Sequence, residues 1–94
     1  MKQPLSNRLL DIIRALFSED NYDVAKSLLH EFCNEEVASD PALLERIRTA
    51  ALKSCKGSVE RLADCIELAH LDWRDLLVGA GFADEPDSHK NWFP

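Results

Sequence analysis

The chain has little of what builds a sheet or a disulfide scaffold. Glycine occurs three times and proline four times in 94 residues. There is no Asn-Gly or Asp-Gly pair to close a hairpin, and no segment alternates polar and apolar residues over a useful length. Cys33, Cys55 and Cys65 form an odd set without a CxxC pair, which argues against a disulfide framework. No apolar run approaches the roughly 18 residues a membrane-spanning helix needs. The start of the chain is a poor secretory leader, because Arg8, Asp11 and Arg14 interrupt its apolar residues. A cytoplasmic protein is the expectation.

Positive charge is outnumbered, with 11 Lys and Arg against 17 Asp and Glu. The formal net charge is −6, and it is unevenly placed. Residues 1–57 hold nine acids and eight bases, a net of −1; residues 58–94 hold eight acids against Arg61, Arg74 and Lys90, a net of −5. An acidic second half repels phosphate backbones and anionic lipid, so nucleic-acid and membrane partners are disfavoured.

What is present is helical periodicity. The apolar fraction of 46% is ordinary for one globular domain. Leu9, Ile12, Ile13, Leu16 and Phe17 recur at three- and four-residue steps and predict a helix over about 5–17, with Pro4 at its entry. A second helix is expected over 21–34, capped by Asp20, with Ala25, Leu28, Leu29, Phe32 and Cys33 on its apolar stripe. Ser18-Glu19-Asp20-Asn21 reads as the break between them. Asp40 followed by Pro41 is the clearest start signal and opens a helix over 41–56. Its buried face comprises Leu44, Ile47, Ala51, Leu52 and Cys55, and Gly57 suits the left-handed closing position. Ser58 caps a fourth helix over 59–69, with Leu62, Cys65, Ile66 and Ala69 inward. After a break at His70-Leu71-Asp72, a short fifth helix over 73–80 ends at Gly81. The expected architecture is a single all-α domain over 1–94. It is a compact bundle of about five short helices, with an aromatic tail, 82–94, folded back through Trp92 or Phe93.

Five features could carry function. Residues 58–82 pair two helices around a tight turn, with Leu62, Leu71 and Leu76 at spacings that suit its buried positions. This pattern resembles the bacterial helix-turn-helix, which implies DNA binding through the second helix. It departs from that motif at His70, where glycine is common, and at Gly79, where a large apolar residue is usual. The second helix, DWRDLLVGAG, offers one arginine and two carboxylates, whereas a base reader needs several cationic or amide groups. An ordinary core hairpin explains it better. Arg46, Arg48, Lys53 and Lys56 spread around the third helix and read as a solvated face. His30 and Cys33 could share one ion, but a tetrahedral site needs four ligands and packing already explains the cysteines, so no metal or other cofactor is expected. No catalytic motif is present: there is no GxSxG, no phosphate-binding glycine loop and no HExxH, so an enzyme is not expected.

The fifth feature is a partner surface built from Tyr22, Trp73, Arg74, Trp92 and Phe93. Aromatic and arginine side chains dominate interface hot spots, although a small core also needs its aromatics. The favoured reading is a small acidic helical protein acting by protein–protein contact, as a regulator or adaptor. Its partner is another protein or a second copy of itself. The alternative is a helix-turn-helix DNA-binding protein using residues 58–82.

Overall fold

The computed structural model describes residues 4–32, 37, 39–85 and 87–94. Among them are four α-helices, α1 (Asn7–Leu16), α2 (Glu19–Glu31), α3 (Pro41–Cys55) and α4 (Val59–Ala80), and a short 3-10 helix, η1 (Ser88–Asn91). The all-α bundle is as the periodicity predicts. The helix count differs: the expected fourth and fifth helices form one element.

Local chemistry sets most of the boundaries. Ser6 caps α1 by accepting from the Leu9 N–H at 3.2 Å. Pro4 and Leu5 therefore precede the helix rather than opening it. The start of α2 also differs from expectation. Ser18 is its N-cap, so Glu19 and Asp20 lie in the first turn, where carboxylates favour the exposed N–H groups. Asp40 caps α3 by accepting from the Leu43 N–H at 3.1 Å, with Pro41 in the first turn. Lys56 and Gly57 both take left-handed backbone conformations, with φ of 52° and 77°, and turn the chain into α4. A side chain at Gly57 would place its Cβ 3.0 Å from the Leu16 carbonyl oxygen, so glycine is required there twice over.

Ser58 caps α4 by accepting from the Arg61 N–H at 3.3 Å. The expected break is a kink at one residue: Asp72 has φ −157° and ψ 87° inside the element. Its carboxylate accepts from the Asp75 N–H at 3.3 Å and restarts the helix at once, so no loop intervenes. The end of α4 is a Schellman closure: Phe82 N–H donates to Leu77 O at 2.9 Å and Gly81 N–H to Val78 O at 3.1 Å. Gly81, at φ 80°, supplies the left-handed residue this closure needs.

The centre of the bundle is α3. Its residues 47–52 are buried without interruption, so it is enclosed on all sides rather than half-exposed. It packs most extensively against α4, while α1 and η1 lie on it elsewhere; α2 bridges α1 and α4. The paired small residues Ala50 and Ala51, both fully buried, suit such close approach. Leu9, Ile12, Ile13, Leu29, Phe32, Leu52 and Leu62 are buried as their spacing predicts. The tail folds back onto this body through Phe82 and His89, 3% and 2% exposed, with Trp92 half-buried against the core. Phe93 does not dock: it is 58% exposed.

Candidate partner-binding surface

The five candidate residues divide among three stretches: Tyr22 in α2, Trp73 and Arg74 in α4, and Trp92 and Phe93 in the tail. Tyr22 is half-buried near the α1–α2 turn, under the Arg14 guanidinium at 5.4 Å, in a groove with Phe17, Ser18 and Glu19. Trp73 opens the second segment of α4. It is half-buried in another groove, formed with Leu43 and Arg46 of α3 and Asp87 of the tail. The Arg74 guanidinium lies over the Trp73 ring at 4.4 Å, a cation–π pair that keeps the exposed arginine close to the indole. Trp92 packs on the core and Phe93 stands in solvent. Trp73 and Arg74 form a pair; Tyr22 and Trp92 serve the body of the bundle as much as its surface.

Sequence reasoning missed two surface residues on α4. Leu71 is 81% exposed and Val78 is 64% exposed. Both fall just off the inward stripe of Leu62, Ile66, Ala69, Leu76, Leu77 and Ala80. Beside Leu71, the His70 ring rests on Phe32 with centroids 5.0 Å apart, which secures α2 against α4 while Leu71 projects away. The exposure of Leu71 also removes one buried position that the helix-turn-helix spacing required. The signal for these residues was their step away from the stripe.

The basic residues of α3 do not make a solvated face. Arg46 donates from Nε to Phe82 O at 2.7 Å and from its terminal nitrogen to the carbonyls of Phe82 and Ala83. Arg48 is 2% exposed and donates to Pro4 O at 3.2 Å. Lys53 donates to Ala80 O at 2.8 Å and sits 4.8 Å over the Phe82 ring. Three cations of one helix thus hold main-chain carbonyls at both ends of the fold. Lys53 satisfies a carbonyl at the end of α4, where positive charge is favoured by the helix dipole, and Arg46 holds the two carbonyls just past its closure. Lys56 remains exposed at the end of α3.

The two described thiols, Cys55 and Cys65, show no activation. Burial pushes the Cys55 thiol above its ordinary range, and the Cys65 thiol rises through burial first and then through Cys55 and Asp64. A raised thiol is a protonated, poor nucleophile. Cys33, expected on the α2 stripe and as a metal partner of His30, lies outside the described residues. Among the described residues no cluster of three or more His, Cys, Asp or Glu side chains could hold a metal ion, and no helix is long and apolar enough to cross a membrane. Compared with protein-family models, with curated proteins and with solved structures, the chain matches none.

Proposed function

We propose that this chain is a non-catalytic, cytoplasmic protein–protein interaction module, acting as an adaptor or regulator through the outer side of α4. The observation that carries the reading is the exposure of Leu71 and Val78, which flank the Trp73–Arg74 pair in sequence. Leucine and valine left in water forgo the roughly 1.5–3 kcal/mol that burial of such a side chain is worth, so they are natural anchors for a partner. A planar guanidinium already seated on an indole adds the residue pair most enriched at hot spots, with little ordering left to do on binding.

The charge pattern narrows the partner. Towards Leu71 the exposed residues of α4 include Asp64, Glu67, Asp72 and Asp75, with Arg61 and Arg74, while Val78 shares a groove with Lys53 and Lys56 of α3. Such a rim, mostly acidic beside Leu71 and basic beside Val78, suits a protein partner with complementary charges of both signs around an apolar centre, and its carboxylates disfavour phosphate backbones. The test is purification of the tagged chain from its source cells, with and without nuclease. A protein recovered in stoichiometric amount after nuclease treatment supports the reading. Recovery of nucleic acid, or of proteins lost on nuclease treatment, would turn attention back to DNA binding by residues 58–82.

A further inference from the structure

We propose that the C-terminal segment over 87–94 is a proton-released strap, docked on α1 and α3 while His89 is neutral and let go when His89 takes up a proton. The strap is held from both helices. Arg8 of α1 donates to the His89 carbonyl oxygen, and also donates to Glu45 at 3.1 Å and Thr49 at 3.0 Å of α3. Arg46 of α3 holds the carbonyls where the tail leaves α4. At the centre of the contact the His89 side chain is 2% exposed, with its ring edge-on to Phe82 at 6.4 Å between centroids.

This site accepts a neutral imidazole and resists a charged one. Its Nδ1 is buried and meets no hydrogen-bond partner among the described residues. A protonated ring would carry an N–H there with nothing to receive it, and a cation would lose its water. The charges facing the ring deepen the effect. Arg8 approaches from α1, Arg46 from α3 and Lys90 from η1, against one anion, Glu45 of α3. Glu45 is already engaged by Arg8 at 3.1 Å and by the Ser6 hydroxyl at 2.8 Å, so it has little left to offer an imidazolium. Lys90 is itself paired with Asp87 at 3.0 Å. Burial first, and then the Arg8 charge, hold the docked imidazole below its ordinary pKa of 6.5.

The sign follows from linkage. The released strap binds a proton near 6.5 and the docked strap binds it lower. Docking is therefore at full strength above 6.5 and weakens by about tenfold per pH unit below it, until the docked ring itself titrates. Release uncovers Arg8, Glu45 and Thr49 and frees Trp92, while the helices, whose core does not include the strap, persist.

The test uses the full chain with Trp73→Phe, which leaves Trp92 as its one indole. Acrylamide quenching of Trp92 and far-UV circular dichroism are followed from pH 8 to 5, and the His89 ring is titrated by NMR in the unsubstituted protein. The expected result is a rise in Trp92 quenching below pH 6.5 with unchanged helicity, an NMR midpoint below 6.5, and no pH step once His89→Gln is added. Constant quenching down to pH 5, helices melting in step with the strap, or an NMR midpoint at or above 6.5 would each overturn the proposal. The NMR midpoint decides the matter even if the His89→Gln chain fails to dock its tail.

Discussion

Arg46 of α3 donates from Nε to the carbonyl oxygen of Phe82 at 2.7 Å, and its terminal nitrogen bonds the same oxygen and that of Ala83. One guanidinium therefore ties the central helix to the point where α4 stops and the tail begins. Arg46→Ala leaves these carbonyls without their charged donor. The expected loss is about 1.5–3 kcal/mol, read as a lower urea midpoint at unchanged slope. Arg46→Lys should recover part of it, because a lysine offers a point charge but not the fork. A midpoint unmoved by Arg46→Ala would show that water replaces the guanidinium at no cost.

The two glycines Gly57 and Gly79 should respond to alanine in opposite senses. At Gly57 the backbone is left-handed and a Cβ meets the Leu16 oxygen at 3.0 Å, so Gly57→Ala should cost more than about 1 kcal/mol. Gly79 lies inside α4, and a methyl group added there would meet nothing within 4 Å, so Gly79→Ala should stabilise by about 0.5–1 kcal/mol. Thermal midpoints moving in the same direction in both variants would contradict this account of the turn and the helix.

Asp72→Ala removes the carboxylate that restarts α4 after its kink. A lost cap costs about 1 kcal/mol, and Asp72→Asn or Asp72→Ser should restore most of it, since both can accept from the Asp75 N–H. Equal stability of the alanine and asparagine variants would mean that the kink is imposed by packing alone.

The helical framework was legible because its signals are local. Asp40-Pro41, Ser58 and Gly81 act on backbone groups within a turn of themselves, and the apolar stripes follow from period alone. The break near Asp72 was legible for the same reason, though not its reduction to a single residue, where the Asp72 carboxylate caps the next turn at once. The destinations of Arg46, Arg48 and Lys53 were not legible. A cation on a helix reads as solvated until the fold brings a carbonyl to it from 27 to 44 residues away. The tail shows the same divide. An aromatic ending predicts docking, yet His89 carries it with Trp92, and Phe93 stays outside. Of the candidate surface, the Trp73–Arg74 pair could be read from adjacency; the exposure of Leu71 required the structure.

Cys65 and Cys55 should label in a fixed order. Cys65 is partly accessible and Cys55 is fully buried with its thiol held at 3.1 Å from Leu52 O. Both thiols are raised, so alkylation at pH 7.5 should be slow, with Cys65 modified well before Cys55. Site-resolved mass spectrometry checks this, and Cys55 reacting first would mean that the α3–α4 contact opens readily.

The central claim is that α4 presents a protein-binding face, and it is tested most directly by a Leu71→Glu, Val78→Glu double variant beside the unsubstituted chain. Both positions are exposed, so the variant should keep its circular dichroism and thermal midpoint within a few degrees. Tagged forms of each, purified from source cells after nuclease treatment, are then compared for stoichiometric partners. The account predicts a protein held by the unsubstituted chain and lost from the double variant. A folded double variant that retains every partner would contradict it.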